Sequence, residues 1–294
     1  MAICNTKQVI NDVLERIKEP GMRGQSSGYP DLDYCIGGFE SGKLYVIGGR
    51  PAMGKSALIL NMIEYMSILN DKKAVLFSLE LPKEEVVNRL IMINGRFDTV
   101  KLKLGNLDND EWDRLIKCAE NIGNSGLLVD DVIYGFTIEE LVDRCKSEEL
   151  GDVDVIFIDY LHLLCADKSF DSRQHELAYI IRQLKELAKE LNKPVVVTSQ
   201  LSRAVECRPD HRPMLSDLRE SGAIEETADA VIFLYRDEYY DFETDRKGIA
   251  ELIVAKNNAG LSGIVELAYL RDYMKFASFV RTETGEYELE EDNR

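Results

Sequence analysis

The nine residues Gly48-Gly49-Arg50-Pro51-Ala52-Met53-Gly54-Lys55-Ser56 constrain the fold more than any other stretch of the chain. They follow the apolar run Leu44–Ile47 and precede a helix-like segment, Ala57 to Leu69. From Gly49 onward they fit G-x-x-x-x-G-K-[ST], a phosphate-binding loop in the strand-loop-helix setting that it requires. Glycines at 49 and 54 let backbone N–H groups close on phosphate oxygens, helped by the positive end of the following helix. The Lys55 ammonium can reach terminal phosphates, and the Ser56 hydroxyl can ligate Mg²⁺. Gly-rich turns between strand and helix are common in α/β proteins, but the Lys-Ser pair and both flanks carry this one beyond such a turn. The nucleotide-binding set is therefore Gly49, Arg50, Pro51, Ala52, Met53, Gly54, Lys55 and Ser56, with ATP and Mg²⁺ as the implied ligands.

From residue 43 onward short apolar runs alternate with helical periodicity. Strands are expected at Leu44–Ile47, Ala74–Phe77, Leu127–Val129, Val155–Ile158, Val195–Thr198 and Ala230–Leu234. Helices are expected at 55–69, 83–93, 109–122, 137–147 and 174–191, the last with Leu177, Ile180, Ile181, Leu184, Leu187 and Leu191 on one face. This pattern predicts an α/β fold with a mainly parallel central sheet flanked by helices. After residue 248 it turns β-rich (Ala250–Val254, Ile264–Ala268, Met274–Phe279), predicting antiparallel strands at one edge.

Ahead of this body, residues 6–18 carry a helical stripe of Val9, Ile10, Val13, Leu14 and Ile17. The stripe can dock on its own domain or on a neighbouring subunit. The organisation read from the chain is a tethered helix within 1–20, a flexible linker at 21–28, one large domain at 29–282, and an acidic tail at 283–294. The net charge of −17 argues against a general polyanion-binding surface, so any nucleic-acid contact has to come from a local patch. Six cysteines stand without a C-x-x-C pair, which suggests neither zinc nor a disulfide framework. With no apolar run of membrane-spanning length and no secretory signal in Met1–Glu19, no membrane partner and a cytoplasmic location are expected.

Three further strand ends carry chemistry. Val155–Ile158 runs into Asp159, placed to orient a Mg²⁺ shell beside Ser56. Ala74–Leu79 runs into Glu80, which can position and deprotonate an attacking water or can cap the helix beginning near Pro82; spacing serves both. Val195–Ser199 runs into Gln200, an amide able to hydrogen-bond a γ-phosphate. A polar loop follows, Leu201 to Gly222, holding Arg203, Arg208, Arg212 and Arg219; it is either an ordinary exposed loop or a mobile nucleic-acid contact.

Several fragments make a resemblance specific: GRPAMGKS at 49–56, FSLE at 77–80, IDYL at 158–161, SQLSR at 199–203, RPMLSDLRESG at 212–222 and FLYRDEYY at 233–240. In this order, over roughly residues 6 to 280, they resemble the motor domain of the bacterial replicative DNA helicase of the DnaB type. The resemblance implies a RecA-like fold and a ring-forming, homo-hexameric motor that moves 5′ to 3′ on single-stranded DNA with ATP held between subunits. By residue, it implies Lys55 and Ser56 on phosphate and Mg²⁺, Asp159 on the Mg²⁺ side, Glu80 as general base and Gln200 as γ-phosphate sensor. It also implies Arg219, Glu220 and Gly222 as DNA contacts, and residues 6–18 as the linker helix that docks on the next subunit.

Three departures accompany the likeness. The helical domain that precedes the linker in the full-length helicase is not in this sequence, which leaves primase and helicase-loader contacts open. The family's Lys-Gln-Arg-Asn-Gly reads Lys256-Asn257-Asn258-Ala259-Gly260, keeping Lys256 as a catalytic candidate but placing Asn258 where an arginine finger belongs. Such a finger contributes about 10³- to 10⁵-fold in rate in other phosphate-loop NTPases. Finally, His162 replaces a Gln after the Asp159 motif. The rival expectation is a nucleotide-gated assembly or adaptor protein of the same fold with weak turnover; a recombinase-like filament former or ring-shaped signalling ATPase is a third.

Overall fold

The computed structural model describes residues 5–18, 21–132, 135–218, 222–281 and 287–289. Its centre is a twisted sheet whose inner strands are buried on both faces. In chain order the first half comprises α1 (Thr6–Lys18), α2 (Pro30–Ile36), β1 (Leu44–Gly49), α3 (Lys55–Ile63), β2 (Ala74–Ser78), α4 (Lys83–Gly95), α5 (Thr99–Leu104), α6 (Asn109–Gly123), β3 (Leu127–Asp130) and α7 (Ile138–Lys146). The second half comprises β4 (Val155–Asp159), α8 (Arg173–Leu191), β5 (Val195–Gln200), α9 (Gly222–Thr227), β6 (Ala230–Tyr235), β7 (Ile249–Asn257), β8 (Gly263–Leu270), β9 (Lys275–Arg281) and β10 (Tyr287–Leu289).

The strand order is β10-β9-β8-β7-β6-β1-β5-β4-β2-β3. From β6 to β3 the pairings are parallel, and from β6 out to β10 they are antiparallel. Strand side chains alternate between the faces. Tyr45 and Ile47 therefore join the core under α2, α3 and α4, while Leu44 and Val46 join the one under α7, α8 and α9. Burial on both sides explains the continuous apolar runs.

Two expectations change here. Residues 24–28 are not a free linker. Gly24 donates to the Gly37 carbonyl at 3.0 Å, Gln25 and Phe39 exchange backbone hydrogen bonds, and Ser27 is buried with its N–H on the Asp33 carboxylate at 2.9 Å. The reason is close approach: a Cβ on Gly24 would sit 2.5 Å from the Gly38 carbonyl carbon, so this glycine serves contact rather than flexibility. Nor is the acidic end wholly a solvated tail. Its residues 287–289 pair with β9 as an edge strand, and 283–286 and 290–294 lie outside the described residues.

The helix expected over 55–69 is α-helical only to Ile63 and continues as a π-helix from Glu64 to Leu69. At the transition a buried ion pair joins Glu64 to Lys275 of β9 at 2.9 Å, and Asn94 of α4 donates to the same carboxylate at 3.1 Å. No described helix is long and apolar enough to cross a membrane.

Candidate functional site

The phosphate loop leaves β1 at Gly49 and enters α3 through Gly54, whose φ of 104° lies in the region that favours glycine. A Cβ on Gly54 would come within 3.1 Å of the Phe276 ring, and one on Gly49 within 3.2 Å of the Leu234 carbonyl oxygen. Both glycines thus let the loop pack tightly against the strands and ring beside it. Lys55, at the start of α3, donates to the Arg50 carbonyl at 3.1 Å. Burial pushes its ammonium down to about 8, against the opposing pull of Asp159 and Glu80, and the charge of Arg50 lowers it further.

Parallel register brings the other strand ends alongside. Gly49 is paired with Gln200, and Ser78 with Asp159. Leu79 donates to the Asp159 carbonyl at 2.8 Å, which carries the chain directly to Glu80. Asp159 is buried, and its Oδ1 accepts a hydrogen bond from the Thr198 hydroxyl. Lys55, Ser56, Glu80 and Gln200 line one cleft of about 300 Å³. Glu80 is exposed within it, whereas α4 begins after Pro82 with no side-chain cap and with Glu84 and Glu85 in its first turn. The helix therefore does not use Glu80. Ser56 and Asp159 offer the hard oxygen donors that Mg²⁺ takes alongside phosphate, so the loop and its neighbours fit a Mg²⁺-nucleotide.

Some residues of the cleft are not singled out by the sequence. Arg89, Tyr269 and Met274 line its walls, the last two from the end of β8 and the turn that follows it, together with Tyr160 of the 158–161 fragment. Asn61 of α3 holds that turn, donating to the Met274 carbonyl at 2.9 Å and accepting from the Phe276 N–H at 3.0 Å. The packing of the antiparallel edge over α3 puts Tyr269 and Met274 there. Other expected groups lie elsewhere. Met53 is buried, and the Arg50 guanidinium turns away from the cleft to the Leu201 carbonyl and to Glu206.

Lys256 is on β7, where its ammonium donates to the carbonyls of Glu225 (2.6 Å) and Ala228 (2.7 Å) at the end of α9. Gly222 opens α9, and Arg219 and Glu220 lie outside the described residues. The described part of the 201–222 loop, read as either an ordinary exposed loop or a mobile nucleic-acid contact, is tied by ion pairs: Arg208 pairs with buried Asp217, and Arg212 pairs with buried Glu251 at 2.7 Å. Two of its arginines are thus engaged within the chain, while Arg203 is exposed.

The chain matches the family described as DnaB-like helicase C terminal domain over residues 24–278. It is 39% identical over 288 residues to the replicative DNA helicase DnaC of Bacillus subtilis, covering 95% of this chain and 63% of that one. The replicative DNA helicase DnaB of Geobacillus stearothermophilus is 35% identical with the same coverage. This chain therefore spans under two thirds of those relatives' length. Among solved structures, an isolated ATPase domain superposes with a TM-score of 0.89 at 36% identity, covering 94% of this chain and 99% of that domain. A DnaB-like replicative helicase, solved in a study of its interactions with primase, gives 0.85 at 36% identity, covering 94% and 67%.

Proposed function

Because the chain belongs to the DnaB-like helicase C-terminal domain family, we propose that it is the motor of a replicative-type DNA helicase, coupling Mg²⁺-ATP hydrolysis to 5′–3′ movement on single-stranded DNA. The observation that carries this reading is the convergence of Lys55, Ser56, Glu80 and Gln200 on one cleft, with Asp159 at the neighbouring strand end. Lys55 and the N–H groups at the start of α3 bind the terminal phosphates. Ser56 and Asp159 would hold Mg²⁺, which neutralises charge on phosphate oxygens when bound. Glu80 orients a water and accepts its proton, and Gln200 hydrogen-bonds the γ-phosphate. Tyr269 and Met274 form the wall for the nucleoside. DNA is contacted by the 201–222 loop, with Arg219, Glu220 and Gly222 on the backbone.

The assembly in this reading is a homo-hexameric ring, and two exposed apolar faces support head-to-tail contact between copies. On α1, Ile10, Val13, Leu14 and Ile17 are exposed; on α5 and α6, Val100, Leu104, Trp112 and Ile116 are exposed. We place α1 of one copy on the α5–α6 face of the next, with Lys256 acting toward a neighbour's nucleotide. Primase or a helicase loader is the further partner this reading admits. The adaptor alternative rests on Asn258 at the finger position, and the relatives' names do not favour it.

Glu80→Gln is the test. It is expected to lower ATP turnover by about 10²-fold or more, the scale of a lost general base, with ATP affinity retained. Steady-state hydrolysis with and without oligo-dT measures this, and unchanged turnover removes Glu80 from the reaction.

A further inference from the structure

Arg50 stands inside the phosphate loop, yet its guanidinium reaches out of it. Nη1 donates to the Leu201 carbonyl at 2.8 Å, while Nη2 and Nε reach Glu206 Oε1 at 2.6 and 3.1 Å. Leu201 directly follows Gln200, and Glu206 lies in the short 3₁₀ turn of Arg203–Cys207. The same residue's carbonyl accepts from the Lys55 ammonium at 3.1 Å. One residue therefore touches the phosphate-binding lysine with its backbone and the 201–222 loop with its side chain. The Arg50 side chain is only 11% exposed, so its hydrogen bonds form in a partly desolvated setting where they are stronger than at an open surface.

The rest of the loop is anchored elsewhere. Arg212 joins Glu251 of β7, Tyr235 donates to the Asp210 carbonyl at 3.1 Å, and His211 stacks on Tyr240 with ring centroids 4.2 Å apart. Those anchors tie residues 210–212 to the antiparallel side of the sheet. The 203–207 turn seats Val205 in the core, and among the described residues its ion pair to the phosphate loop is the one with Arg50.

We propose that the Arg50–Glu206 pair is the link through which phosphate binding at Lys55 reaches the 203–207 turn, with Glu206 as the positioning residue. The Lys55 ammonium has three N–H donors and gives one to the Arg50 carbonyl, so a phosphate that takes the others draws the ammonium toward itself and pulls on that hydrogen bond. The Arg50 backbone shifts with it, and the guanidinium carries the displacement to Glu206. This deepens the motor reading, since it supplies that reading's path from nucleotide to DNA loop, but the link itself is testable without DNA.

Hydrogen exchange of the full chain, with and without a non-hydrolysable ATP analogue, reads the link directly. In the wild type the analogue is expected to change exchange at the 203–207 amides by about fivefold or more, the lower end of ordinary coupling between sites. Glu206→Gln should abolish that response with analogue affinity kept within about twofold, because Glu206 is a half-exposed surface residue. Arg212→Gln cuts one of the other anchors: it should speed exchange in both conditions and leave the response to analogue intact. A Glu206→Gln response equal to wild type overturns the link, as does a wild type without response, or loss of response in both variants alike. Stimulation of turnover by oligo-dT is measured on the same samples. Its absence in a wild type that does show the exchange response refutes the motor reading and leaves the link standing.

Discussion

Lys55 is the residue at which binding and stability oppose each other. Its amine is pushed down to about 8 in the folded chain, against an ordinary value near 10.5. Between those pH values the unfolded chain binds more protons than the folded one, so stability rises as pH rises through that window. Below pH 8 the penalty is fully present, on the order of 3 kcal/mol. Lys55→Met should therefore raise the thermal unfolding midpoint at pH 7 while removing ATP binding, with the gain shrinking toward pH 10. Melting curves at both pH values decide it; a midpoint at pH 7 that stays level or falls would show that the ammonium is not strained. The same shift means that ATP, by pairing with the ammonium, draws a proton onto the protein near pH 8.5. Calorimetric titration in two buffers of different ionisation heat detects that uptake.

At the scale of elements, what the sequence made legible follows from how each element is stabilised. The parallel strands stood out because burial on both faces demands unbroken apolar runs, and their polar ends (Asp159, Glu80, Gln200) marked the edge where the cleft lies. The short helices α2 and α5 did not, since seven and six residues give too little periodicity to read. Asp98 caps α5 through the N–H groups of Val100 and Lys101, a contact visible only once the turn exists. The wall residues Tyr269 and Met274, and the Arg50–Glu206 contact, depend on pairings between distant segments, which spacing along one chain does not encode. The π-helical turn belongs to the same class. Its buried Glu64 has its cationic partner on β9, far along the sequence. Lys275→Met leaves that carboxylate buried without its cation and should cost about 3–5 kcal/mol, whereas Glu64→Leu/Lys275→Met together should cost much less. Urea unfolding of both variants tests the pairing; equal losses would show that the two groups do not depend on each other.

For the whole molecule, charge and apolar surface point in different directions. A net charge of −17 keeps copies apart by general repulsion, while the exposed faces of α1 and of α5–α6 favour specific contact between them. The chain's single tryptophan, Trp112, sits on the second face at 48% exposure. Its emission should shift to the blue as the protein assembles with Mg²⁺-ATP, and Leu14→Glu in α1 should abolish both the shift and the larger mass in light scattering. An assembly that forms normally with Leu14→Glu would exclude α1 as the docking element.

The strand order also bears on how this molecule is made. β1, which carries the phosphate loop, lies between β5 and β6, so its neighbours are residues 195–200 and 230–233. A ribosome delivers β1 long before either flank, and the strand has to wait unpaired while the intervening helices are synthesised. Contacts of such long sequence separation form late. Nucleotide binding is consequently a property the growing chain acquires only once residues 230–233 have followed 195–200, and a chain halted before Val195 has the complete phosphate-loop sequence without the sheet that holds it in shape.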